Sequence, residues 1–271
     1  MPPKNNSKSA SESAFREEEY LMAADSSLLR TEHISKSYDG RMIIEDISIR
    51  LEKGELVSLL GLSGSGKTTL FQVISGLVRP DSGRVMLSGE DITEKPGKVS
   101  YMLQKDLLLP HKKIIDNAAL PLVIRGAKKA DARRTAAPYF AQFGLAGTEY
   151  QYPSQLSGGM RQRAALLRTY LGSEGVALLD EPFSALDMIT KGQMHDWYLD
   201  IMSRIDLSTI FITHDIDEAL MLSDRVYIMT GSPGRIDDEI RISVKRNERK
   251  DFSLTEEFLE YKKKILNILK Q

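Results

Sequence analysis

Apolar side chains between residues 28 and 104 come in short runs, at 29–34, 42–51, 56–60, 84–87 and 99–104, separated by Gly and Asp turns. Runs of this length read as strands, and the alternation Asp46-Ile47-Ser48-Ile49 suits a strand with one wet face. The period then changes. Residues 114–126 and 130–144, rich in Ala, Lys and Arg, follow helical spacing, which places a helical subdomain of about 105–170 between two strand-bearing parts. Continuous apolar runs return at 176–179 and 209–212, as expected of strands buried on both faces of a parallel sheet and joined by helical crossovers. The tail 253–271 carries Leu254, Phe258, Tyr261, Ile265, Ile268 and Leu269 at helical spacing behind a Ser253-x-x-Glu256 capping box. This predicts a C-terminal helix within 251–271, packed on its own domain. Residues 1–26 are rich in Ser, Lys, Glu and Asn, too polar to offset the entropy of ordering, and read as a disordered arm. The remaining span, 27–250, is one α/β domain.

The strand at 56–60 leads directly into Gly61-Leu62-Ser63-Gly64-Ser65-Gly66-Lys67-Thr68-Thr69, which fits the phosphate-loop pattern GxxxxGK[ST]. A glycine-rich turn between a buried strand and a helix lets backbone N–H groups converge on phosphate oxygens at the positive end of the helix. The pattern assigns Lys67 to the β/γ-phosphates and Thr68 to Mg²⁺. A second element fits it. Asp180 and Glu181 follow the apolar run 176–179, at the carboxyl end of a strand where open α/β sheets bind ligands. Asp180 suits the metal, and Glu181 suits the water that attacks a phosphoryl group.

Composition narrows the alternatives. The 271 residues carry 37 basic and 38 acidic side chains for a net charge of −1, so the chain as a whole has no electrostatic footprint for nucleic acid. No cysteine is present, which removes disulfides, thiolate nucleophiles and cysteine zinc sites. No stretch reaches the roughly 18 uncharged apolar residues of a membrane span, and the start lacks a signal-peptide apolar region. A membrane role would therefore be peripheral. His33, His111 and His195 have no metal-ligand spacing and read as structural. Arg161, Arg163 and Arg168 form a basic helix face that reads as solvated or interdomain. Trp197 reads as a packing residue.

Leu156-Ser157-Gly158-Gly159-Met160-Arg161-Gln162-Arg163 is a second glycine-bearing turn entering a helix. One site hardly needs two such cradles. With this segment the chain resembles the ATP-binding subunits of ABC transporters over roughly residues 28–236. The resemblance implies a P-loop NTPase fold with a mixed core sheet, an antiparallel β subdomain and an inserted helical subdomain. It implies two ATP molecules, each with Mg²⁺, held head to tail between two copies, so that Ser157, Gly158 and Gly159 of one copy face the nucleotide of the other. Tyr38 is similar to the residue stacking on adenine, and Gln104 to the glutamine that senses metal and water. Ser184-Ala185-Leu186-Asp187 is similar to the loop crossing the dimer interface, and His214 to the switch histidine at the γ-phosphate.

The Met after the signature, Ala119-Leu120-Pro121-Leu122, Leu108-Leu109-Pro110 and Ser232-Pro233-Gly234-Arg235-Ile236 resemble the importer branch for nitrate, sulfonate, taurine and thiamine-pyrimidine precursors. His111 stands where that branch usually carries Trp. The resemblance implies an ATPase at the cytoplasmic face of the membrane, bound to separate integral permease subunits and served indirectly by an extracytoplasmic solute-binding protein. The alternatives are a soluble ABC ATPase outside transport and a P-loop small-molecule phosphotransferase.

Overall fold

The computed structural model describes residues 27–184 and 186–270. The arm expected at 1–26 lies outside the described residues, as do Ala185 and Gln271. Two sheets organise the chain. The first is antiparallel and contains β1 (Leu29–Tyr38), β2 (Arg41–Ile47), β5 (Ser82–Leu87) and β6 (Glu90–Asp91) in the order β2-β1-β5-β6, with β3 (Arg50–Leu51) paired to β1. The second contains β4 (Leu56–Gly61), β7 (Ser100–Met102), β8 (Val176–Asp180), β9 (Ser208–Thr213), β10 (Arg225–Thr230) and β11 (Arg235–Arg241). Its order is β11-β10-β4-β9-β8-β7, parallel from β10 to β7 and antiparallel only at β11.

All residues of β4, β8 and β9 are buried, the condition that makes their sequences continuous rather than alternating. Side chains on opposite faces then feed separate apolar clusters. Val57 and Leu59 of β4 join Leu178, Ile210 and Ile212 beneath the antiparallel sheet and helix α1 (Lys67–Ile74). Leu56 and Leu179 face the helical side together with Phe211. Leu60, Val226 and Ile228 are covered by α8 (Ile216–Leu222) and the terminal α9 (Glu256–Leu269) through Leu220, Phe258 and Ile265. Each such fully buried side chain contributes about 1.5–3 kcal/mol.

The helical insertion departs from the two continuous helices expected at 114–126 and 130–144. Four short ones form: α2 (Ile114–Ala118), α3 (Leu120–Ile124), α4 (Lys129–Ala136) and α5 (Tyr139–Gln142). Pro121 and Pro138 have no N–H to give the carbonyls four residues back, and Gly126 at φ 97 ends α3. The long helices α6 (Gly158–Gly172) and α7 (Met188–Met202) follow. The expected Ser253/Glu256 capping box is also corrected. Ser253 lies in a 3₁₀ turn, Phe252–Leu254, pinned by buried Phe252, and Thr255 caps α9 instead, its hydroxyl accepting from Phe258 N at 3.2 Å. The expected strand at 42–51 is split into β2 and β3, with Asp46 at φ 53 near the break.

Candidate active site

β4 ends at Gly61, and the chain then turns through residues 62–66 into α1, whose N-cap Gly66 has φ 91. A side chain at Gly66 would be strained by that left-handed backbone and would meet Ile44 Cγ2 of β2 at 2.4 Å. The loop is thus held under the antiparallel sheet. Lys67 is nearly buried, and its Nζ donates to the carbonyls of Gly61 and Leu62, both at 2.8 Å. Burial pushes the Lys67 ammonium down from its ordinary value, against the opposing pull of Glu181 and Asp180.

The carboxylates arrive from β8. Asp180, its last residue, is 8% exposed. Burial raises its carboxyl above the ordinary value, and neighbouring Glu181 adds to this. Hydrogen bonds from Tyr101 OH, at 3.1 Å, and from Thr68 oppose the shift. Glu181 then adopts φ 44, a left-handed conformation unusual outside glycine. Its N–H is anchored on Ile212 O at 3.1 Å. The Glu181 carboxylate bridges two elements: Gln104 Nε2 donates to one oxygen at 3.0 Å, and His214 Nδ1 lies 3.0 Å from the other.

A cleft of about 630 Å³ gathers Ser63, Gly64, Gly66, Lys67, Thr68, Thr69, Gln104, Asp180 and Glu181, with Ile43, Lys105 and Leu107 also on its wall. Gly61, Leu62 and Ser65 form the loop beneath, and His214 joins through Glu181. Two groups of expected site residues are not among the cleft's lining. Tyr38 stands at the β1–β2 turn, 41% exposed, with Lys36 Nζ 5.3 Å from its ring centre. Ser157, Gly158 and Gly159 begin α6, where the Ser157 hydroxyl caps the helix by accepting from Met160 N at 3.3 Å.

Sequence reasoning missed two supports. Tyr101 steadies Asp180 and packs edge-on against Phe71, ring centres 5.9 Å apart; its place in the strand just before Gln104 was the available signal. Gly234 lies against the phosphate loop so closely that a Cβ there would sit 1.9 Å from Ser65 O. Its main chain meanwhile bonds β2, from Gly234 N to Ile43 O at 2.8 Å and from Glu45 N to Gly234 O at 3.0 Å. The basic face of α6 is half-buried and turned toward neighbouring segments. Arg161 reaches Asp106 Oδ2 at 3.2 Å and Leu156 O at 2.9 Å. Arg168 donates to Leu107 O at 2.8 Å and Asp106 O at 2.6 Å, and Arg163 lies 4.8 Å from the Trp197 ring centre. Arg161 and Arg168 thus bind α6 to the segment following Gln104, and Arg163 binds it to α7.

The model of the family described as ABC transporter matches residues 44–184, more than half of the sequence. The chain belongs to the ABC transporter family. Among relatives of this ABC-family chain, the formylaminopyrimidine import ATP-binding protein ThiZ of Halalkalibacterium halodurans is 46% identical over 207 residues, covering 76% of this chain and 81% of the relative. The aliphatic sulfonates import ATP-binding protein SsuB 2 of Burkholderia cenocepacia is 40% identical over 220 residues, covering 81% and 80%. Among solved structures, the dimeric post-hydrolysis state of the ATP-binding cassette MJ0796 bound to ADP and Pi aligns with TM-score 0.67 and 25% identity. It covers 80% of this chain and 100% of that one. The mixed sheet, antiparallel sheet and helices described above are the ABC ATPase fold.

Proposed function

We propose that this chain is the ATP-hydrolysing subunit of an ABC importer, working as a pair of copies beneath separate membrane-spanning permease subunits. One observation carries the reading: Lys67, Thr68, Gln104, Asp180 and Glu181 converge on one cleft at the carboxyl ends of parallel strands, while Ser157, Gly158 and Gly159 stand apart from it. A phosphate cradle with its metal and water ligands but without the signature turn fits a site completed by a second copy. The dimeric, ADP- and Pi-bound structural relative supports the same arrangement.

In this reading the N–H groups of residues 62–68 and Lys67 bind the β- and γ-phosphates. The Thr68 hydroxyl and Asp180 carboxylate, both on the wall of the cleft, are hard oxygen donors suited to Mg²⁺, with Gln104 nearby. Bound there, the ion would neutralise charge on the phosphate oxygens. Glu181 orients the attacking water and accepts its proton, and His214, held on the same carboxylate, faces the γ-phosphate. Tyr38 stacks on adenine at the mouth. We take residues 105–170 as the helical subdomain and 251–271 as the C-terminal helix.

No helix of the described residues is long and apolar enough to cross a membrane; by likeness to the import ATP-binding proteins named above, we place this chain at the cytoplasmic face of separate permease subunits. The relatives named above are import proteins for a formylaminopyrimidine and for aliphatic sulfonates; we place this chain in that branch, with a solute-binding protein delivering the cargo. The test is Glu181→Gln. It should retain ATP, lose about 100-fold or more in hydrolysis and elute as a dimer with ATP, whereas Ser157→Arg should bind ATP yet neither dimerise nor hydrolyse. Wild-type turnover by Glu181→Gln would refute the assignment.

A further inference from the structure

Behind His214 lies a charged cluster that the phosphate chemistry does not use. Glu218 of α8 is 4% exposed. One of its carboxylate oxygens accepts from the Thr213 hydroxyl, and the other lies 3.0 Å from His195 Nε2 and 3.6 Å from Lys191 Nζ. Lys191 also pairs with Asp215 Oδ2 at 2.7 Å. Asp215 N in turn donates to Thr213 Oγ1 at 3.0 Å. Both chain neighbours of His214 are therefore tied, through Glu218 and Lys191, to two residues one turn apart on α7. That helix begins at Asp187, whose side chain caps it by accepting from Thr190 N at 3.1 Å. His195 also packs edge-on against Phe183, ring centres 5.0 Å apart, on the segment leading out of Glu181.

A carboxylate this deeply buried is costly unless its partners are fixed, and here both basic partners, Lys191 and His195, come from one helix. A shift of α7 acts on Glu218 through Lys191 and His195, and Glu218 and Lys191 in turn touch Thr213 and Asp215 on either side of His214. We propose that Glu218, with Lys191 and His195, is a positioning cluster that converts the placement of Phe183 and Asp187 into the placement of the His214 ring against Glu181. The inference rests on the proposed ATPase reading.

The test uses the full chain with Mg-ATP. Glu218→Gln keeps the shape but not the charge. It should lower kcat by about tenfold or more, as a small misplacement near the reacting groups does, with KM for ATP within about twofold. Lys191→Met, on a more exposed side chain, should lower kcat in the same direction with little change in melting temperature. The decisive comparison is made under single-turnover conditions with enzyme in excess. If Glu218 acts through His214, adding Glu218→Gln to His214→Ala causes no further loss. Equal losses in both backgrounds, or an unchanged kcat in Glu218→Gln and Lys191→Met alike, would overturn it. A wild-type chain without ATPase activity would instead sink the underlying reading, so the two failures are distinguishable.

Discussion

Arg249 offers the sharpest test of how the site is supported from behind. It is 1% exposed, and its guanidinium makes five hydrogen bonds to four main-chain carbonyls, those of Val244, Leu220, Met221 and Ser223. Three of those carbonyls end α8, which would otherwise leave its last acceptors unsatisfied in the protein interior. The contacts to Ser223 O at 2.6 Å and Val244 O at 2.7 Å are short, whereas those to Leu220 and Met221 are 3.2 Å. Two strongly bonded carbonyls left without a donor cost about 2–4 kcal/mol in Arg249→Met. Desolvation offsets part of this, since burial pushes the guanidinium down to about 10 from its ordinary 12.5. It remains charged at neutral pH. With the folded value below the unfolded one, the desolvation cost is present at neutral pH and is relieved only above pH 10. A net loss of about 2–3 kcal/mol corresponds to a melting temperature lower by about 5–10 °C for a chain of this size. Arg249→Lys, with charge but no fork, should fall between. Thermal melts by circular dichroism measure the shift. A Met variant melting within about 2 °C of wild type would refute the assignment of α8 capping to Arg249.

Asp180→Asn should raise the melting temperature measured without nucleotide while abolishing Mg-dependent turnover. The Asp180 carboxyl titrates above its ordinary 3.8, so its ionisation removes stability as pH rises through the window between the unfolded and folded values, and the cost is full above it. The advantage of Asn should therefore shrink as the melts are taken down toward pH 4. Gly234→Ala should raise KM for ATP by about tenfold or more, because its Cβ would stand 1.9 Å from Ser65 O and push the phosphate loop; an unchanged KM would mean the loop yields freely. Arg168→Met frees the carbonyls of Asp106 and Leu107 and should lower kcat by about tenfold through misplacement of Gln104. It should also shift the emission of Trp197, the one tryptophan, which stacks on Arg163 of the same helix. Unaltered emission and kcat would remove the arginine link between α6 and the 106–107 segment.

Much of the core sheet was legible because its strands are buried on both faces. Residues 56–60, 176–179 and 209–212 need an unbroken apolar run, and few other elements of that length do. The phosphate loop and the Asp180-Glu181 pair were readable for a related reason: both sit at ends of those strands, so locating the strand located the chemistry. What escaped notice depends in part on contacts distant in sequence. The breaks at Pro121 and Pro138 are instead written locally, in residues with no N–H to donate, and escape notice only because helical spacing runs straight across them. Gly234 touches Ser65 across 169 positions of sequence, and Tyr101 meets Asp180 across 79. The Ser253 capping box failed because a hydroxyl three residues before a glutamate matches the motif wherever the helix starts. Burial of Phe252 decided the start instead.

The placement of His214 shows why such a site cannot be assembled from motifs alone. The helix after it, α8, has only seven residues, far below the length at which a helix holds itself in water. Its direction must come from outside. At the N-terminal end the Asp215 carboxylate accepts from the N–H groups of Asp217 and Glu218, at 3.0 and 3.2 Å; at the C-terminal end the Arg249 cation takes the last carbonyls. Negative charge at the start and positive charge at the end both favour the helix dipole. Midway, Glu218 fixes its rotation against α7. Asp215 and Glu218 lie within four residues of His214, but their partners Lys191 and His195 come from α7, and Arg249, which takes the last α8 carbonyls, comes from a third part of the chain. The short stretch around His214 therefore has little structure to lose by itself and takes its geometry from whichever neighbours are in place. An element of this kind is suited to a switch, because a modest shift of α7 acts on it directly while the surrounding sheet, closed on both faces by apolar packing, stays where it is.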